Sequence, residues 1–245
     1  GIGEWILWSP EARYTSAALA PGGRLQPPML APNELGEIPV IMYHQVREGA
    51  SGDYDITPVE FRAELTRLWA DGFVPVTAAD LVTGSLNVPR GRSPVVLTFD
   101  DSTSNQVAIL PDGRIDPESA VGILQEFAAT HAGFRAKATF YVIKKPFGGT
   151  QDGASVVRWL ARNGFDLGDH TYDHASLSSL SAAGVQRELV QGAQLIRSLA
   201  PGAPIETMAL PFGQEAKVRR LERVGSWGGS AYSFKGVFLV GSNPA

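Results

Sequence analysis

The segment Pro94–Thr103, reading Pro-Val-Val-Leu-Thr-Phe-Asp-Asp-Ser-Thr, changes from apolar to doubly acidic in one step. Val95–Phe99 is rich in β-branched and aromatic residues with little polar alternation, the pattern of a strand buried on both faces. A strand of that kind needs a packed layer on each side, which points to a parallel α/β sheet or barrel. Asp100 and Asp101 then stand where the strand leaves the core, the end at which catalytic groups collect in such folds. Adjacent side chains on an extended backbone point in opposite directions, so the two carboxylates read as having two different tasks rather than as a symmetric dyad. The plainer alternative is a strand-to-loop junction whose Asp oxygens satisfy loose backbone donors.

The chain has 245 residues, of which 44% are hydrophobic and 19% charged. A single α/β domain of this size can bury a large core without a second unit. The net charge is −4, and with no Lys/Arg block suited to tracking a phosphate backbone, nucleic acid is not expected as a partner. Cysteine is absent, which removes disulfides, thiolate catalysis and cysteine zinc sites together. No apolar run approaches the length of a membrane span, and Gly1-Ile2-Gly3 does not begin like a basic signal-peptide region.

Along the chain, Glu4 to Trp8 reads as a short strand or a packed patch. Thr15 to Gly36 is rich in Ala, Pro and Gly and reads as a lead-in. Residues 1–36 are therefore expected to precede a domain at 37–245. Ile38–Tyr43 reads as the first buried strand and delivers His44, a residue type that at such a position is more often a hydrogen-bonded structural group than a ligand. Thr57-Pro58-Val59-Glu60 has the spacing of a capping box with Pro at the first helical position. A helix carrying Phe61, Leu65, Leu68 and Trp69 follows, up to Asp71-Gly72. Strands are expected at Phe73–Val76, Ala136–Ile143 and Phe165–Gly168, and helices at Thr77–Leu86, from Asp116 to near Gly133, and at Val156–Asn163, with a loop at Gly148–Gly153. This βα alternation implies a parallel sheet or barrel with helices outside it.

The strand ending at Gly168 delivers Asp169-His170-Thr171-Tyr172-Asp173-His174, so two of the chain's 4 histidines lie four residues apart just beyond a strand. Two imidazoles at that spacing can converge on one cation from a helical turn or a tight loop. Neutral imidazole suits zinc and other late divalent metals. A carboxylate from elsewhere would make a third ligand, and three protein ligands leave a position open for water, as in a catalytic site.

Thr98-Phe99-Asp100-Asp101-Ser102, followed by His170-Thr171-Tyr172-Asp173-His174, resembles the first two signature motifs of the polysaccharide deacetylases, the NodB-homology carbohydrate esterases. The likeness runs from about Ile38 to Gly213. It implies a distorted (β/α) barrel with fewer than eight repeats. It also implies metal-dependent removal of acetyl groups from N-acetylated, or O-acetylated, sugars such as chitin-type oligomers, peptidoglycan or biofilm glucosamine polymers, and an extracytoplasmic location. On matching positions, Asp100 corresponds to the general base, and Asp101, His170 and His174 to the ligands of one divalent ion, zinc first, cobalt or nickel otherwise. Ala209-Leu210-Pro211-Phe212-Gly213 is similar to the third motif, with Pro211 and Phe212 lining the groove and the Phe212 N–H available to an oxyanion. Two departures stand out. Ala209 replaces the Arg that in the family orients the base, and no His follows His174, although the family's late motif supplies one as general acid. The chain ends at Ala245, soon after a last expected strand at Val237–Gly241, so that either the end is truncated or the acid role falls to another group or to metal-bound water. Two rivals remain. One is a catalytically weak carbohydrate-binding protein on the same scaffold. The other is a metal-free glycosidase using Asp100 with a distant Glu, which leaves the His170/His174 pair unexplained.

Overall fold

Neighbouring residues of the Val95–Phe99 run enter two different cores. In the computed structural model, Val96 packs with Val40, Tyr141, Ala209 and Phe238, whereas Val95, Leu97 and Phe99 join Ile41, Phe140, Val142 and Leu167 in a larger cluster. The period-two alternation of a strand thus sends one set of side chains inside a curled sheet and the other out under the helices. Each large side chain buried in this way contributes about 1.5–3 kcal/mol.

The structure describes residues 5–6, 13–16, 38–52, 54–149 and 151–240. Its strands are β1 (Trp5–Ile6), β2 (Arg13–Ser16), β3 (Ile38–Tyr43), β4 (Phe73–Val76), β5 (Ser93–Phe99), β6 (Thr139–Val142), β7 (Asp166–Asp169), β8 (Thr207–Ala209), β9 (Val224–Trp227), β10 (Ser230–Ser233) and β11 (Gly236–Val240). Its α-helices are α1 (Pro58–Ala70), α2 (Ala78–Thr83), α3 (Ala120–Thr130), α4 (Gln151–Arg162) and α5 (Ala182–Leu199). Nine strands form one sheet in the order β1-β3-β5-β6-β7-β8-β11-β2, with β4 paired to β5. All pairings are parallel except that of β1 with β3. Because β2 also lies beside β3, the sheet curls until its two ends approach each other. This is the distorted barrel expected above. Strands β1 and β2 come from the segment read as lead-in, the remainder of which lies outside the described residues.

Local chemistry sets the helix ends. Thr57 and Thr77 each close a capping box, with Glu60 and Asp80 respectively, and Gly84 ends α2 in the left-handed conformation at φ 75°. Helix α4 begins at Gln151, inside the stretch expected to be a loop. The reason is Gly153, where a Cβ would stand 2.2 Å from the Pro146 carbonyl oxygen. This glycine permits a close approach of helix and turn rather than breaking the helix. The segment Ala182–Leu199, for which no element was expected, is the longest described helix. Ser181 caps it, and Val185, Leu189, Val190, Ala193 and Ile196 form its buried face.

Candidate active site

The C-terminal ends of β3, β5, β7 and β8 meet at one mouth and carry, in turn, His44, Asp100 with Asp101, His170 to His174, and Pro211 with Phe212. The parallel arrangement is what brings together groups up to 168 residues apart in sequence. The two acids diverge as expected. Asp100 continues the strand and is buried, whereas Asp101 turns into the left-handed region at φ 75° and is partly open.

Asp101 is the hub. Its Oδ1 lies 3.2 Å from His170 Nε2 and 3.1 Å from His174 Nε2, and its Oδ2 lies 3.7 Å from His44 Nε2. The two histidines reach it from a tight loop rather than a helical turn, with Thr171 and His174 at φ 65° and 56°. His170 Nδ1 is 2.8 Å from the Ala209 carbonyl oxygen, which can only accept, so Nδ1 carries the hydrogen and the neutral ring aims its Nε2 lone pair at Asp101. Both His170 Nε2 and Asp101 Oδ1 are buried with no hydrogen-bond partner. Two facing acceptors repel unless a cation or an extra proton lies between them. A carboxylate with two imidazoles, their ligand atoms within 4.8 Å of one another, is a donor set suited to zinc and similar divalent ions. The residues therefore fit such an ion.

Electrostatics separates the two acids. Burial raises Asp100 above the ordinary carboxylate range, and the nearby His170, His44 and His174 only partly offset this. For Asp101 burial acts in the same upward direction, but the contacts of His170 and His174 outweigh it and hold the carboxyl far below its usual range. His170 is raised, since Asp100 and Asp101 outweigh the effect of its burial. The side chain at 209, where an Arg was expected by resemblance, is buried in the inner cluster, and it is the residue's carbonyl that orients His170.

The groove side is built from backbone and rings. Pro211 is buried, while Phe212 is 65% exposed and sets its ring against His174 at 4.7 Å. Among the described residues the Phe212 N–H has no acceptor. Ser102 Oγ accepts from Ile143 N–H at 3.3 Å, and the Ser102 carbonyl from Phe147 N–H at 2.7 Å, so the loop after β6 is tied to the hub. Of the eight non-glycine residues with positive φ among those described, only Asn87 lies away from these loops. Such conformations cost about 1–3 kcal/mol each, and they persist where packing over-determines them, as at functional sites.

Two residues escaped the sequence reading. The sequence favours a structural role for His44, yet it faces Asp101 and rests against Tyr54 at 5.2 Å. Its position at a strand end, like that of Asp100, was the available signal. Gln106 is fully buried and donates from Nε2 to the carbonyls of both His44 and Asp100, each at 2.6 Å. Nothing in its sequence context announces that bridge.

The profile of the family described as polysaccharide deacetylase matches residues 87–226. A chitin deacetylase of Arthroderma benhamiae is 30% identical over 118 residues, covering 48% of this chain and 27% of that protein. A chitooligosaccharide deacetylase of Sinorhizobium fredii is 29% identical over 129 residues, 51% of each chain. The chain thus spans about half or less of the length of these relatives. Among solved structures, the Streptococcus pyogenes deacetylase PplD in complex with acetate superposes with a TM-score of 0.61 at 19% identity, covering 83% of this chain and 91% of that one. This last likeness is one of fold.

Proposed function

This chain belongs to the polysaccharide deacetylase family, and from that premise we propose that it hydrolyses the amide of N-acetylated sugar units in a polysaccharide or oligosaccharide, releasing acetate. The observation that carries the reading is the convergence of Asp101, His170 and His174 beside the buried Asp100. We assign one divalent ion to Asp101, His170 and His174, zinc in the first place. When bound there it supplies Lewis acidity, polarising the acetyl carbonyl and acidifying water. Asp100, whose carboxylate burial makes more basic, takes the proton of the attacking water as the water oxygen bonds to the acetyl carbon. The Phe212 N–H, for which no acceptor is found among the described residues, would hold the developing oxyanion. His44 is the remaining imidazole facing the hub, and we assign it the proton delivered to the sugar nitrogen as the carbon–nitrogen bond breaks. Pro211 and Phe212 line the groove. The catalytic domain is proposed to occupy 37–245, with β1 and β2 adding strands to its sheet, and chitin-type acetylated glycans are the substrates that the relatives' names suggest.

Acetate release from N-acetylated chitooligosaccharides, measured before and after chelation and on adding back zinc, cobalt or nickel, tests the reading. Activity should vanish with the chelator and return with at least one ion. His174→Ala should lose bound metal in elemental analysis; metal retention equal to that of the wild type would refute the ligand set. Oligosaccharide binding without acetate release under any metal would favour a sugar-binding protein on this scaffold instead.

A further inference from the structure

The segment that follows the exposed Phe212 is basic in a chain whose net charge is −4. Lys217, Arg219, Arg220 and Arg223 fall within seven residues and are all exposed. The sequence offers no Lys/Arg block suited to tracking a phosphate backbone, but these four side chains make a local basic cluster. The chain folds it into one compact turn: Leu221 N–H donates to the Val218 carbonyl at 3.0 Å and Arg223 N–H to the Arg220 carbonyl at 3.1 Å. The turn is anchored from beneath. Glu222 is buried and accepts the Ala216 N–H at 2.7 Å, and the Tyr232 hydroxyl donates to the Leu221 carbonyl. Beside the charges stand three exposed apolar side chains, Val218 at 47%, Val224 at 36% and Trp227 at 40%.

The acids packed around this turn are already engaged. Glu215 pairs with Arg219 at 2.7 Å, Glu206 with Lys235 at 3.2 Å, and Glu222 points inward. Among the described residues Lys217, Arg220 and Arg223 form no ion pair.

Two connections place the strip beside the active site. Lys217 follows Phe212, whose ring lies on His174, by five residues, at most about 18 Å of extended chain. The β9–β10 hairpin is held to α5 by Ser226 N–H donating to Gln186 Oε1 at 3.1 Å. Glu188, about 3 Å further along that helix axis, accepts the N–H of Asp173, the neighbour of His174, at 2.8 Å.

We infer that the strip running from Phe212 over Lys217–Arg223 to Trp227 is a subsite for an acidic stretch of the acetylated glycan, so that the substrate carries carboxylates as well as acetyl groups. The inference rests on the proposed deacetylase reading for what lies at the mouth. Guanidinium groups match carboxylates in a planar two-point geometry, and an exposed Trp offers a rigid face on which a sugar ring can stack. A membrane surface fits less well. The basic residues lie on one short turn rather than along an amphipathic helix with a broad apolar face.

Calorimetric binding tests this without turnover. The probes are hyaluronan oligosaccharides, which alternate N-acetylglucosamine with a uronic acid, against neutral chitooligosaccharides of equal length. The wild type should bind the acidic series about tenfold more tightly at low salt, from several exposed charge contacts acting together. The preference should fade at high salt. Arg220→Glu combined with Arg223→Glu should bring the ratio of the two affinities close to one, with an unchanged melting temperature showing that the fold is kept. Trp227→Ala should weaken both series. Equal affinities in the wild type, a preference surviving in the double variant, or tighter binding of anionic lipid vesicles through the same arginines would each overturn the inference. A protein that keeps the acidic preference but releases no acetate refutes only the deacetylase reading. One that releases acetate without the preference refutes only this subsite.

Discussion

Asp100 and Asp101 are chemically identical and one bond apart in sequence, yet burial and partner geometry separate them. Asp100 is enclosed and raised, whereas Asp101 is drawn down by two imidazoles that face the same oxygen. Asp100→Asn should therefore retain the metal, measured by elemental analysis, and lose on the order of 100-fold or more in kcat, the usual size of a lost general base. Full acetate release from the variant would put the base elsewhere. Gln106 acts at one remove from the chemistry. Its single amide nitrogen binds the backbones that present His44 and Asp100. Gln106→Met keeps the volume but leaves the buried Asp100 carbonyl without a donor and the His44 carbonyl with only the Thr103 hydroxyl at 3.5 Å, a loss of roughly 1–3 kcal/mol in denaturant unfolding. If the amide also sets the spacing of the two side chains, kcat should fall while KM stays nearly constant. A variant that is destabilised with normal kcat would make Gln106 purely structural.

At the scale of elements, the histidine loop is held by β7 on one side and α5 on the other. Asp169 at the end of β7 is buried and accepts the Thr171 N–H through Oδ1 at 2.9 Å. Helix α5 can lie against it only because residue 192 is glycine, since a Cβ there would stand 2.2 Å from Asp169 Oδ1. Gly192→Ala gains helix propensity, worth about 1 kcal/mol, but forces apart two buried elements, which costs about 1–3 kcal/mol. We expect net destabilisation together with weaker metal binding, read by thermal unfolding and by metal titration. A variant more stable than the wild type, with unchanged metal affinity, would show that this contact relaxes freely.

Over the whole molecule, the buried acids make stability depend on pH. Asp166, fully enclosed at the start of β7, is raised to about 7 chiefly by burial, although Thr139 Oγ1 and Ala79 N–H donate to it at 2.8 and 3.0 Å. Glu64, which accepts the Tyr43 hydroxyl, is likewise raised to about 7 by burial. An acid whose folded value is raised holds its proton longer in the native state, so its contribution is complete below the unfolded value near 4 and is lost as pH rises to about 7. Asp166→Asn should remove one such slope. Relative to the wild type, the variant should gain up to about 3 kcal/mol between pH 5 and pH 8 in denaturant unfolding, and an unchanged difference across that range would show that Asp166 titrates normally. The parallel α/β architecture, the strand carrying Asp100 and Asp101, and the His170/His174 pair were legible in the sequence, because burial on both faces and short ligand spacings are local properties. Helix α5 was legible in principle, from Ser181 and the spacing of Val185, Leu189 and Ile196, and was missed. The start of α4 was misread because a glycine needed for close approach looks the same in sequence as one that ends a helix. What only the tertiary structure decided were the part of His44, the bridge of Gln106 and the seating of the β9–β10 hairpin against α5. Each depends on which strand ends and loops become neighbours when the sheet curls, and that is set by long-range packing rather than by any residue's own neighbours in the chain.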